Sequence, residues 1–263
     1  MELGAHMTTT KDDVKRQFGA NAEKYATSKT HALGSDLQIV LAYLEAQPHM
    51  RVLDVATGAG HTAAMIAPWV EHVTASDLSP EMIEQTKKLF ASKGLSNTDA
   101  VVVDVEALEF PDNTFDAVTC RIAPHHFLDI QKAVDEIARV LKPGGAFILE
   151  DSASPQSKRL DRFVNSLEKL RDPTHVRAYT KREWRRMLIH SGLRVVRSEL
   201  YRKTHNVEDW MTNSGCSEEL KQQVRTMFVQ APDIAKVYYA IEISDGKPVS
   251  YTDDKLILKA VKR

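Results

Sequence analysis

The segment Val52-Leu53-Asp54-Val55-Ala56-Thr57-Gly58-Ala59-Gly60 constrains this chain most. An apolar run enters a turn holding two glycines, and a helical pattern begins at His61. Glycine lets a backbone turn tightly and lets a ligand approach the start of the following helix. A second apolar run, 73–76, ends at Asp77, seventeen residues beyond Gly60. In a doubly wound sheet those two strand ends are neighbours, so the Asp77 carboxylate can accept both hydrogen bonds from a ribose diol. The glycine pair alone is weak evidence, because Gly58-x-Gly60-x-x-Ala63 also fits a nicotinamide-dinucleotide fingerprint with alanine in third place. Asp54 argues against that cofactor. A buried carboxylate beside the turn opposes a pyrophosphate, but it can orient the turn or face the ammonium of an amino-acid-like ligand.

The rest of the chain alternates in the same manner. Strands are expected at 51–56, 73–76, 100–103, 115–119 and 146–150, with helices at 61–68, 82–92 and 130–141 between them. Ser79 reads as an N-cap, Pro80 as the first helical residue, and Gly94 as the helix stop. Apolar strands separated by helices imply a mostly parallel sheet covered on both faces. Further on, helices are expected at 156–171, 180–190 and 217–229, and a sixth strand at 193–200. Apolar runs at 237–243 and 256–261 flank Ser244-Asp245-Gly246-Lys247 and suggest a hairpin. Residues 11–46 read as helical, with irregular stretches at 18–22 and 25–28. The pattern shows no internal repeat and no long linker. It divides into an N-terminal helical lid region, 1–47, and a main domain, 48–263, embellished at about 152–235.

Composition removes several classes. Lys and Arg number 35 against 36 Asp and Glu, so no global charge attracts nucleic acid or anionic lipid. Two cysteines, Cys120 and Cys216, make no disulfide framework, which suits a reducing cytoplasm. No apolar stretch is long enough for a membrane span, and residues 1–7 lack the apolar core of a signal peptide. Nothing in the pattern prescribes an oligomeric state.

Leu53 to Gly60, Asp77-Leu78-Ser79-Pro80-Glu81-Met82, Asp104 with Pro111-Asp112-Asn113-Thr114-Phe115-Asp116, and Leu141-Lys142-Pro143-Gly144-Gly145 together carry a resemblance. The chain resembles the class I S-adenosylmethionine-dependent methyltransferases, in the group holding the ubiquinone and menaquinone biosynthesis enzymes and many small-molecule methyltransferases. The resemblance is strong over about 48–151 and weaker elsewhere. It implies a Rossmann-like, seven-stranded α/β sheet, mostly parallel, with an antiparallel edge strand, helices on both faces and an N-terminal helical lid. It implies S-adenosyl-L-methionine as cofactor. Gly58 and Gly60, with Asp54 and Thr57 in the same turn, would approach its methionine part. Asp77 would hold the ribose, Leu78 and Met82 would lie against the adenine, and Asp104 would face the adenine amino group beside Val105. Arg121 falls where such enzymes keep cofactor and substrate contacts, and Tyr25 belongs to the lid.

Methyl transfer needs an oriented nucleophile, exclusion of water and, for a neutral acceptor, a base. His125, His126 and Asp151 follow the fourth and fifth strands and are the catalytic candidates. Adjacent residues seldom point the same way, so one histidine is expected to face the pocket while the other holds backbone. Consecutive histidines lack the facing geometry of metal ligands, and no metal is expected. Phe18, Tyr25 and His31 are candidate lid residues, and Trp210 a candidate pocket wall. Residues 158–203 hold fourteen Lys or Arg against five Asp or Glu, a surplus able to steer an anionic small-molecule substrate. Arg171, His175 and Arg177 are its best candidates for a carboxylate or phosphate. Nucleic acid is disfavoured, since no recognition module is present. The competing readings are an inert S-adenosylmethionine-binding or interaction domain and, more remotely, a NAD(P)-dependent oxidoreductase.

Overall fold

The computed structural model describes residues 9–27 and 34–263. Among the described residues three helices come first: α1 (Lys11–Ala20), α2 (Ala22–Thr27) and α3 (Ser35–Leu44). The alternating part follows: β1 (Arg51–Val55), α4 (His61–Ile66), β2 (His72–Asp77), α5 (Pro80–Ser92), β3 (Thr98–Val102), β4 (Phe115–Arg121), α6 (Ile130–Val140) and β5 (Leu141–Ser154). The chain continues through α7 (Lys158–Arg171), β6 (Tyr179–Thr180), α8 (Lys181–His190) and β7 (Leu193–Asn206). It ends with α9 (Val207–Asn213), α10 (Glu218–Val229), α11 (Asp233–Tyr238), β8 (Glu242–Ser244) and β9 (Lys247–Lys262).

Seven strands form the main path, in the order β3-β2-β1-β4-β5-β9-β7, with β6 beside β5 and β8 beside β9. β1 pairs in parallel with both β2 and β4. β9 is antiparallel to β5 and to β7, so the reversed strand sits one place in from the edge. Alternation along the strands splits the core into two layers. Val52, Val73, Ala117 and Ile148 pack under Val40 and Leu44 of α3 and Ala63 and Ile66 of α4. Leu53, Val118, Phe147 and Leu149 pack under Val134 and Ile137 of α6 and Trp184 and Leu188 of α8. Within 152–235, β6, α8 and β7 join the sheet and its layers. Helices α7, α9, α10 and α11 instead build a third cluster around Phe163, Trp210 and Phe228.

Local signals place the helix starts well. Ser79 Oγ accepts from the Met82 amide at 3.3 Å, with Pro80 in the first turn. Thr10 and Asp13 close a reciprocal capping box at the start of α1. Three expectations change. The irregularity expected at 18–22 and 25–28 shrinks to Asn21, because α1 runs through Ala20 and α2 resumes at Ala22. Asn21 Nδ2 donates to the Gln17 carbonyl at 2.8 Å, and the Asn21 carbonyl accepts from the Tyr25 amide at 3.1 Å, so both helices use it. Ser28 and His31 lie outside the described residues. The run 237–243 is mostly helix α11 with only a short β8, since Ala235 and Tyr239 are buried one helical turn apart. β5, β7 and β9 extend well past their expected ends because they pair with one another over their length.

Strand order reverses on either side of β1 and β4, and there the carboxyl ends of the strands leave a crevice. Among the described residues no helix is long and apolar enough to cross a membrane.

Candidate active site

The crevice is a cleft of about 1050 Å³, counted to its mouth. Its floor comes from the tips of β1, β2 and β4, and Val14, Phe18 and Tyr25 of α1 and α2 form the facing wall. Two non-glycine residues at strand tips, Ala56 (φ 49°) and Ile122 (φ 53°), adopt left-handed backbone and both line the cleft. Such strain collects where surrounding structure holds a functional loop in place.

The two glycines do different work. Gly58 (φ 57°) lines the cleft, and a Cβ there would meet nothing within 4 Å. Gly60 (φ 85°) stands behind the cleft; a Cβ there would lie 2.7 Å from Thr86 Cγ2. Gly58 and Gly60 were both expected to approach a ligand; of the two only Gly58 lines the cleft, and Gly60 lets α4 start against α5. Thr86 Oγ1 in turn donates to the Gly58 carbonyl at 2.8 Å, so the second glycine's packing partner holds the first.

Asp77 accepts from the Gly58 amide at 2.9 Å with one oxygen and from the Ser79 amide at 2.9 Å with the other. Each oxygen keeps a lone pair for a ribose hydroxyl. Burial pushes this carboxyl above its ordinary pKa, against the pull of the amides. Asp54 is buried and accepts from Thr57 Oγ1 and Thr119 Oγ1, both at 2.6 Å. Burial outweighs these bonds and raises its pKa to about 6. Leu78, Met82 and Val105 line the same end, offering apolar surface beside Asp77 and Asp104.

Asp104 has a partner the sequence did not suggest. Lys11 of α1 reaches across the cleft to Asp104 and, at 2.7 Å, to Glu106. A helix-start lysine 93 residues away carries no local signal of that role. Arg121 donates to Thr62 Oγ1 at 3.0 Å and pairs with buried Asp36. Among the described residues the two cations that line the cleft, Lys11 and Arg121, are thus already held by carboxylates.

The catalytic candidates divide. His126 lines the cleft, with Phe18 edge-on to its ring at 4.8 Å. His125 and Asp151 do not line it. Asp151 accepts from the His125 ring Nδ1 at 2.6 Å and from the His125 amide at 3.0 Å, so this pair braces the turn after β4. Burial opposes charge on His125, but Asp151 outweighs it and holds the pKa above the usual histidine value. Burial, with His125 beside it, holds the pKa of His126 below the usual histidine value and so favours its neutral form. One histidine toward the pocket and one toward backbone was expected; of the three catalytic candidates only His126 lines the cleft.

Other candidates are drawn away from the site. Arg171 pairs with Glu168 at 2.8 Å and stacks on Trp210, which packs in the third cluster. Arg177 pairs with Asp161 and Glu183, and His175 bonds Asn165 at 3.0 Å. None of these three, nor Trp210, lines the cleft. The surplus of positive residues at 158–203 is spent partly on such internal pairs, which charge counting cannot see. Among the described residues no group of three or more His, Cys, Asp or Glu is placed to hold a metal.

A mixed sheet of this order, with a glycine turn, a strand-terminal carboxylate and a further carboxylate on neighbouring tips, defines an S-adenosylmethionine-dependent methyltransferase. The cofactor fits the residues present: Gly58 leaves open the space a side chain would fill, and both Asp77 oxygens keep acceptor capacity. The family of the Methyltransferase domain matches residues 53–149. The methyltransferase YcgJ of Bacillus subtilis (strain 168) is 36% identical over 94% of this chain and 98% of its own. The crystal structure of YcgJ superposes with a TM-score of 0.84 at 34% identity, covering 87% of this chain and 98% of that one. The ubiquinone/menaquinone biosynthesis C-methyltransferase UbiE of Desulfotalea psychrophila (strain LSv54 / DSM 12343) is 35% identical over 57% of this chain and 63% of its own. The chain belongs to the class I S-adenosylmethionine-dependent methyltransferases, in the family that includes YcgJ and is related to the ubiquinone/menaquinone enzymes.

Proposed function

We propose that this enzyme methylates an uncharged, mainly apolar small molecule that lies between the Phe18, Tyr25 and His126 side chains and the tips of β1 and β4. The observation that carries this reading is the pairing of Lys11 and Arg121 with carboxylates, which leaves an aromatic wall facing the strand tips. An anionic acceptor at Arg121 would have to displace Asp36, and breaking that buried pair is unfavourable; at Lys11 it would have to compete with both Asp104 and Glu106. Relatives named for C-methylation in ubiquinone and menaquinone biosynthesis support an aromatic acceptor of this kind.

S-adenosylmethionine, when bound, supplies a methyl group on a sulfonium sulfur that departs as a neutral thioether. In this reading Asp77 accepts the ribose hydroxyls, Leu78, Met82 and Val105 flank the adenine, and Gly58 lies against the methionine part. Asp54 holds Thr57 and so shapes the turn. Asp104 remains the acceptor for the adenine amino group, with Lys11 tying α1 to it as a lid. Helices α1 and α2 exclude water, and neutral His126 takes a proton from the acceptor. The two cysteines are unpaired, which supports a reducing compartment such as the cytoplasm.

Turnover of S-adenosylmethionine against matched panels of neutral phenols or quinols, carboxylates and phosphates tests the reading. Methyl transfer confined to the neutral panel is expected. Transfer confined to the anions would overturn it, and cofactor binding without transfer to any panel would favour the inert alternative.

A further inference from the structure

The segment joining α7 to β6 contacts the site without lining it. We propose that Thr174, held by Asp172, is a positioning residue that keeps the proton of His126 on Nδ1 and leaves Nε2 as the acceptor facing the cleft. The inference rests on the role given to His126 above.

Thr174 Oγ1 donates to Asp172 Oδ1 at 2.6 Å, and the Thr174 amide donates to the same oxygen at 2.8 Å. A hydroxyl has one hydrogen, and a carboxylate has none to return. Thr174 Oγ1 also lies 3.2 Å from His126 Nδ1, so it meets that nitrogen with a lone pair, and Nδ1 must bring the hydrogen. Nε2 is 4.0 Å from Asp172 Oδ2, beyond hydrogen-bond range. Among the described residues no side chain hydrogen-bonds Nε2, and the His126 ring lines the cleft. Nε2 is therefore the ring nitrogen left for a molecule in the cleft.

The segment is held in register with the histidine turn. The Val176 and Arg177 amides both donate to the His125 carbonyl, at 2.7 and 3.1 Å. Asp172 and Thr174 are each 3% exposed, so neither hydrogen bond competes with water. Among the described residues the charged or titratable groups around His126 include His125 beside it, Asp151 behind His125, His175 next to the His125 ring, and Asp172 with its neighbour Arg171. Tyr25 of α2 faces Asp172. Burial, with the His125 ring beside it, lowers the pKa of His126, which favours the neutral ring the tautomer requires. As the acceptor gains its methyl group, the proton it loses ends on Nε2 and gives the imidazolium.

The test uses the full chain labelled with ¹⁵N-histidine, with the His126 resonances assigned by their loss in His126→Gln. At pH 7 Nδ1 is expected in the protonated range and Nε2 in the bare range. Thr174→Val keeps the shape but removes the hydroxyl, and should mix or reverse the tautomers. It should lower kcat about tenfold while KM for S-adenosylmethionine stays within twofold, and Thr174→Ser should restore both readouts. A wild-type spectrum with the proton on Nε2 overturns the proposal without any variant. So does an unchanged His126 spectrum in a Thr174→Val protein that still binds the cofactor. If no acceptor is ever methylated, the proposed function fails, but the spectra still decide the tautomer.

Discussion

Gly58 and Gly60 sit two residues apart in one turn, yet alanine at each should fail for opposite reasons. Both have left-handed backbone, which disfavours a Cβ by roughly 1–2 kcal/mol. Restriction of the unfolded chain by alanine returns about 0.4–1 kcal/mol at either site. At Gly58 nothing lies within 4 Å of the new methyl, so Gly58→Ala should cost about 1 kcal/mol of stability. Its methyl enters the cleft, and cofactor affinity should fall at least roughly tenfold, about 1.4 kcal/mol. At Gly60 the methyl meets Thr86 Cγ2 at 2.7 Å and Oγ1 at 3.1 Å. Thr86 is fully buried and bonded to the Gly58 carbonyl, so it cannot turn aside freely. Overpacking adds about 1–3 kcal/mol, for a total near 2–4 kcal/mol. Urea unfolding without cofactor measures the first quantity, and calorimetric titration with S-adenosylhomocysteine the second. Equal stability of the two variants, or a Gly58→Ala protein that binds like wild type, would refute the division of labour.

Asp77→Asn places an amide hydrogen donor against either the Gly58 or the Ser79 amide, and should weaken S-adenosylmethionine binding by roughly 10–100-fold in a calorimetric titration, about 1.4–2.7 kcal/mol. Burial, then nearby Asp36, raises Glu150 to about 7, and its Oε2 has no partner. A carboxyl raised in this way favours the fold below its unfolded pKa and loses that contribution as pH rises through 7. Glu150→Gln should therefore gain on wild type between pH 5 and 8, by up to about 3 kcal/mol in urea unfolding; parallel pH profiles would contradict this. His126→Gln should lower turnover with little change in cofactor affinity. His125→Gln should instead destabilise by about 1–3 kcal/mol, because buried Asp151 loses its ring partner; equal turnover losses at matched stability would deny the distinction.

The strand, glycine turn and strand-terminal carboxylate were legible because each is a short-range device. Ser79 caps its own helix, Gly58 turns its own loop, and Asp77 follows from where an apolar run stops. Those signals sufficed for the sheet, the cofactor and most of the cleft floor. The wall opposite was not legible. That Lys11 meets Asp104, that His126 rather than His125 faces inward, that Thr174 touches the inward ring, and that Arg171 and Arg177 are consumed by internal pairs all depend on side-chain directions. Elements distant in the chain set those directions when they pack together. Local pattern carries backbone geometry, but a charge or an imidazole acquires its role only when folding decides what lies opposite it.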